Sequence, residues 1–147
     1  MNGPRLALVL LTGSRSWPDP QLLEDTLLDV WHDALQDGYD GIELMHGHAH
    51  DGADAIGDAW AIRHGVPYRR RPADWKGPCA AACPPGHRRT NRRGAEYCPL
   101  AGHRRNQQMV DEGPLLVVAA HHNRSTGTAD CIRRAEAAGI PVLTLAA

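Results

Sequence analysis

Apolar positions in this chain gather into five short runs separated by amphipathic or glycine-bearing sequence. Leu6–Leu11 is continuous rather than alternating, the pattern of a parallel strand covered on both faces. Pro18-Asp19 then opens a helix over about Pro20–Gln36, with Leu22, Leu23, Thr26, Leu27, Val30, Trp31 and Leu35 on one stripe. Asp37-Gly38 closes it. Ile42–Met45 predicts a second strand, and Ala53–His64 a second helix, apolar at Ala53, Ile56, Trp60 and Ala61. Val66–Arg70 predicts a third strand.

Periodicity stops from Pro72 to Gly102, a stretch with five Pro, four Gly and three Cys. It is too long for an ordinary connection, and loops of that length are functional or held by something. Helical sequence resumes over about His103–Glu112. Leu115–Ala120 predicts strand four, about Gly127–Ala138 the last helix, and Ile140–Leu145 strand five. The order β-α-β-α-β, insertion, α-β-α-β predicts one α/β domain over residues 1–147. Its sheet should be doubly wound, five-stranded and mostly parallel, with right-handed crossovers and residues 72–102 inserted.

Three strands run into glycine-bearing polar turns: Thr12-Gly13-Ser14-Arg15, His46-Gly47 on to Gly52-Ala53-Asp54, and Ser125-Thr126-Gly127-Thr128. In a parallel sheet such turns collect at the carboxyl ends of the strands, where ligands bind. Each precedes helical sequence, whose free N–H groups and positive dipole end suit phosphate. Gly13, Gly47, Gly52 and Gly127 permit close backbone approach, Ser14, Ser125 and Thr128 offer hydroxyls, and Arg15 can fork onto phosphate oxygens. Asp54 either orients ribose hydroxyls or caps the helix after Gly52. The expected ligand is a phosphate-bearing small molecule. No Gly-x-Gly-x-x-Gly spacing occurs, so the ordinary dinucleotide fingerprint is absent.

A hydrophobic content of 42% with 22% charged residues fits a globular chain rather than a disordered one. No apolar stretch approaches the roughly 20 residues that span a bilayer, and Leu6–Leu11 is too short for a signal peptide. A cytoplasmic setting with no membrane partner is expected. There, four cysteines point to metal ligation or free thiols rather than disulfides. The net charge of −1 conceals an asymmetry: residues 63–105 hold 11 Lys/Arg against Asp74 and Glu96, or +9, and the remainder is −10. That basic middle implies an anionic partner or a solvated arginine-rich loop at Arg88–Arg93.

The insertion carries Cys79-x3-Cys83-x3-His87-x10-Cys98-x4-His103. Zinc prefers four such ligands in a tetrahedron. Cys79, Cys83 and Cys98 with His87 or His103 would close a structural site, with no position left for water. His87 is the better fourth ligand, because His103 begins a helix. The loop has few apolar side chains to order itself, and a structural zinc supplies on the order of 10–16 kcal/mol of coupled folding energy. In this reading the zinc loop forms a lid that delivers Arg88, Arg89, Arg92 or Arg93 to a polyanion. Cys131, in the last helix, reads as a small core residue.

Gly13-Ser14-Arg15-x-Trp17, His46-Gly47 with Gly52-Ala53-Asp54, Pro72-Ala73-Asp74-Trp75, Arg105-Asn106-Gln107-Gln108-Met109 and Gly127-Thr128-Ala129-Asp130 occur in that order. Together they resemble the YpsA-related branch of the SLOG superfamily, small Rossmann-like proteins related to the Lonely Guy phosphoribohydrolases and to DprA. The resemblance implies a nucleotide-derived ligand, with sensing or sequestration as the leading role. It implies nucleotide N-glycosidic hydrolysis as a second reading and DNA binding as a third. By position, Arg105 and Asp130 match the Lonely Guy arginine and glutamate, with Asn106 in place of a lysine and Asp130 one methylene shorter. Asp130 reads equally as a helix carboxylate favoured by the macrodipole. A homodimer is implied by analogy. Trp17 and Trp75 either stack a base or pack in the core or rim, and Arg104 is expected at the surface.

Overall fold

A computed structural model describes residues 3–147. In chain order the elements are β1 (Leu6–Gly13), α1 (Pro20–Gln36), β2 (Gly41–His46), α2 (Gly52–His64), β3 (Tyr68–Arg70), β4 (Arg89–Thr90), β5 (Glu96–Tyr97), α3 (Ala101–Asp111), β6 (Leu116–His121), α4 (Thr126–Ala137) and β7 (Val142–Ala146). Five strands form a parallel sheet in the order β3-β2-β1-β6-β7, and β4 pairs antiparallel with β5 inside the insertion. The expected doubly wound α/β architecture is the one observed.

Because β1 lies at the centre, its side chains feed both faces. Ala7, Val9 and Leu11 pack with Leu23, Leu27 and Val30 of α1 and Trp60 of α2. Leu10 and Met45 pack on the other face with Met109 and Val110 of α3 and Cys131 and Ala135 of α4. Asp19 caps α1, its Oδ1 accepting from Leu22 N at 3.0 Å, with Pro20 at the first helical position. The α1 stripe ends on Ala34, whereas Leu35, placed on it by the sequence pattern, is 47% exposed.

Strands three and seven start two residues later than the apolar runs. Val66 N–H bonds Ala61 O at 2.9 Å and Ile140 N–H bonds Ala135 O at 3.0 Å, closing the preceding helices. Pro67 and Pro141 follow and have no N–H to give. The pairing therefore opens at Tyr68 and Val142. No helix among the described residues is long and apolar enough to cross a membrane.

Candidate functional site

The carboxyl ends of β1, β2 and β6 open into one cleft of about 840 Å3, whose walls include Gly13, Gly47 and Gly127. Three turns far apart in sequence thus converge. Each glycine has its own reason. A Cβ on Gly13 would overlap Ala53 and sit 2.9 Å from Ala120 O, so this glycine lets α2 and β6 close on β1. Gly52 has φ +70 and faces the Ser14 carbonyl, which also accepts from Ala53 N at 3.1 Å. A Cβ on Gly47 would strike the Arg105 guanidinium, whereas Gly127 has open space beside it at the start of α4. Gly52 underpins the cleft without lining it; Arg15, Asp54, Arg105, Ser125 and Thr128 are on its walls.

The hydroxyls are largely spent on the protein. Ser14 Oγ donates to His122 O at 2.7 Å and accepts from His122 N at 2.8 Å, clamping the β1 turn to the β6 turn. Ser125 caps α4, accepting from Thr128 N at 3.4 Å and from Thr128 Oγ1 at 3.0 Å. What faces the cleft is cationic and backbone chemistry: Arg15, Arg124 and the start of α4, where Gly127 has open space beside it. His48, Asn123 and Arg124, all on the walls, have φ of 56, 54 and 52. Left-handed backbone at residues other than glycine costs on the order of 1–3 kcal/mol each and concentrates at ligand clamps.

Arg105 and Asp54 define the floor. Arg105 Nη1 donates to Gly47 O at 2.9 Å and to Arg71 O at 3.2 Å, and its Nε donates to Asn106 Oδ1 at 3.1 Å. Burial lowers its pKa and the Asp54 carboxylate opposes that. Asp54 does not cap its helix. Its Oδ2 accepts from Ala49 N at 3.2 Å, while Oδ1 is buried with no partner among the described residues. Burial pushes its pKa up, against the charges of His46 and Arg105.

Beneath this floor, His46 Nδ1 accepts from His48 N at 2.9 Å, so Nε2 carries the proton and donates to Asp58 Oδ1 at 2.9 Å. Arg70 holds Asp58 with two bonds of 2.9 Å. Burial pushes the His46 pKa below 6.5 despite both carboxylates. The unfolded chain therefore binds more protons than the folded one just below pH 6.5. The His46 contribution to stability is full above that pH and declines as pH falls toward the folded pKa. Chemical denaturation between pH 5 and 7.5, a window chosen about the ordinary histidine pKa, will show this decline. His46→Gln, which keeps a donor to Asp58, will flatten it.

Asp130 is 3% exposed and lies off the cleft wall. It accepts from Asn106 Nδ2 at 3.1 Å and from Arg134 Nε at 2.9 Å, and Arg133 Nη2 approaches at 3.3 Å. Burial raises its pKa, and these bonds outweigh that and lower it. Of the matched pair, Arg105 faces the cleft and Asp130 anchors Asn106.

In the insertion, the ligand atoms of Cys79, Cys83, His87 and Cys98 lie within 4.8 Å of one another. Cys79 Sγ is 3.0 Å from His87 Nε2, Cys98 Sγ 3.4 Å from the same nitrogen, and Cys83 Sγ 3.9 Å from Cys98 Sγ. A tetrahedron with metal–sulfur bonds of about 2.3 Å has edges of about 3.8 Å, so the group can hold a metal ion. His87 completes it; His103 instead sits 3.9 Å from Asp130. Arg104, expected at the surface, donates from Nη1 to Cys83 and Cys98 Sγ at 3.3 Å each. Arg88 Nη1 reaches Cys79 Sγ at 3.5 Å and Gly77 O at 2.9 Å. Desolvation alone would raise the Cys98 thiol, and the bond from Arg104 helps bring it down to about 6. Two guanidiniums thus offset thiolate charge beside the ligand atoms.

The arginines of the insertion do not reach the cleft. Arg88 faces the thiols, and Arg89, Arg92 and Arg93 are off the cleft walls. The insertion instead contributes Pro72, Ala73, Trp75 and Pro99 to one wall. Trp17 is buried, its Nε1 donating to Asp19 O at 2.7 Å. Sequence reasoning missed His122, Asn123, Arg124 and Asn106 as wall residues. The runs His121-His122-Asn123-Arg124 and Arg105-Asn106, polar sequence immediately beside a strand end and a matched motif, were the available signal.

Residues 7–77 match the YspA, cpYpsA-related SLOG family, and the match stops just before Cys79. Over 140 residues the chain is 36% identical to the Gene 61 protein of Mycobacterium phage D29, covering 92% of this chain and 93% of that protein. The X-ray structure of TM1055, a Northeast Structural Genomics Consortium target, shares the fold with a TM-score of 0.57 and 18% identity. That likeness covers 93% of this chain and 72% of the other. Turn chemistry, sheet order and these likenesses agree: the chain belongs to the YspA/cpYpsA-related SLOG family.

Proposed function

We propose that the cleft binds a nucleotide or a nucleotide-derived phosphate ligand, as a sensing or sequestering module. The observation that carries this reading is the convergence of three strand-end turns and the α4 start on one cavity bearing Arg15, Arg105 and Arg124. Phosphate suits the α4 start and the guanidiniums, and the cleft is large enough for an attached nucleoside. AMP and ADP-ribose are the first probes. Either should raise the melting temperature, by an amount that grows with the logarithm of ligand concentration above Kd. Arg105→Ala should weaken the binding by about 10- to 100-fold, the range for a bond to a charged group. Absence of any thermal shift or co-purified nucleotide would remove the proposal.

The Cys79, Cys83, His87 and Cys98 group is proposed to hold zinc in a structural role, since all four tetrahedral positions are filled by protein. When bound, the ion would tie together a segment that has little else to order it. Hydrolysis of a nucleotide N-glycosidic bond is the second reading, supported by Arg105 on the cleft wall. Free base released from AMP by wild type, and lost in Arg105→Ala at saturating AMP, would establish it. The resemblance also supports a dimer, to be measured by sedimentation.

A further inference from the structure

Four tryptophans occur in the chain. Trp17 and Trp60 are buried, and Trp31 meets Trp60 edge-on at 5.9 Å. Trp75 is different: it is 36% exposed and lies on the cleft wall. Its seat is built for it. The benzo end of the indole rests on Gly102 in the first turn of α3, where a Cβ would come within 2.8 Å of Cη2. Tyr97 meets the ring edge-on, with centroids 6.3 Å apart and planes at 76°.

The backbone of Trp75 is fixed from the same side. Its carbonyl accepts from Cys98 N at 2.8 Å, so the residue that carries the ring is bonded to one of the four candidate metal ligands. Residues Pro72–Trp75 carry no regular secondary structure of their own. The indole is thus packed on Gly102 and Tyr97 yet still 36% exposed, in a cleft that also bears Arg15, Arg105 and Arg124. Aromatic side chains placed this way stack planar bases, which all offer a π-face.

We propose that Trp75 is the platform on which the ligand's base stacks, and that the Cys79/Cys83/His87/Cys98 group holds it there. The site then selects nucleotides over base-free sugar phosphates. This inference rests on the cleft being a nucleotide site, and it assigns the determinant of base selection to the insertion rather than to the sheet.

The test compares AMP with ribose 5-phosphate by calorimetry on the full, zinc-loaded chain. Wild type should bind AMP about 5- to 150-fold more tightly, the range for one stacked base. Trp75→Leu, which keeps apolar bulk, should collapse that ratio toward one while leaving ribose 5-phosphate affinity unchanged. Trp75→Phe should retain most of it. Chelator-stripped wild type should behave like Trp75→Leu. An unchanged ratio in Trp75→Leu, or equal losses for both ligands, overturns the platform. A full ratio in stripped protein overturns its dependence on the metal group. Equal binding of the two ligands by wild type sinks the platform alone. Failure of both to bind sinks the phosphate-cleft reading, and the platform with it.

Discussion

Cys98→Ser will abolish stoichiometric metal binding and leave residues 76–100 open to protease, while the sheet signal in far-UV circular dichroism persists. Cys98 is fully buried and contacts both His87 and Cys83, so its loss removes the ligand at the middle of the group. The insertion has little to fall back on. Its regular structure is the two-residue pairing of Arg89–Thr90 with Glu96–Tyr97, closed by Asn91 Oδ1 accepting from Arg93 N at 2.9 Å and Ala95 N at 3.0 Å. A coupled metal-binding energy on the order of 10–16 kcal/mol is comparable to the whole stability of a domain, so removing it leaves this segment unfolded. The five-stranded sheet has its own core on both faces and survives. Elemental analysis should give one zinc per wild-type chain and almost none in the variant. Cys131→Ala, in α4 and packed in the core, should keep its zinc. Unchanged metal content in Cys98→Ser would end the structural-metal reading.

Gly52→Ala will be the most damaging single methyl in the sheet half of the molecule. At φ +70 an alanine is strained by about 1–2 kcal/mol before anything is touched. The added Cβ would also drive into backbone atoms of Ser14 and Arg15, which cannot swing aside as a side-chain tip can. Ser14 is held from three directions, by Ala120 O, Ala53 N and the backbone of His122. Relief would therefore require moving the start of α2 away from β1. A loss of about 3 kcal/mol or more is expected, lowering the melting temperature by roughly 6–12 °C for a chain of this size. Gly127→Ala is the control: with open space beside Gly127 and no positive φ, it should shift the melting temperature by little. Equal effects from the two substitutions would contradict this geometry.

Much of the architecture was legible because apolar runs and helix-closing glycines are local signals. Leu6–Leu11 announces the central strand, and Asp37-Gly38 announces the end of the first helix. The late starts of β3 and β7 were less visible, because Val66 and Ile140 are apolar yet spend their N–H groups on helix carbonyls. The spacing of Cys79, Cys83, His87 and Cys98 made the candidate metal group readable. What surrounds it was not. Arg104 turns inward because α3 docks with the insertion, and that docking is a property of the folded whole. The Ser14–His122 clamp joins residues 108 apart and has no local signature. Asp130 shows a related limit: its position matches a motif, but the neighbours Asn106 and Arg134 decide where its oxygens go.

The insertion leaves the sheet after β3, lines the cleft with Pro72, Ala73, Trp75 and Pro99 before leading into α3, and gives no residue of 72–100 to either hydrophobic layer. Its length and sequence can therefore drift, or be exchanged wholesale, without disturbing strand register or either hydrophobic layer. A chain built this way can take on a new ligand preference by changing one cassette at the rim, while the open sheet and its two packed layers stay as they are.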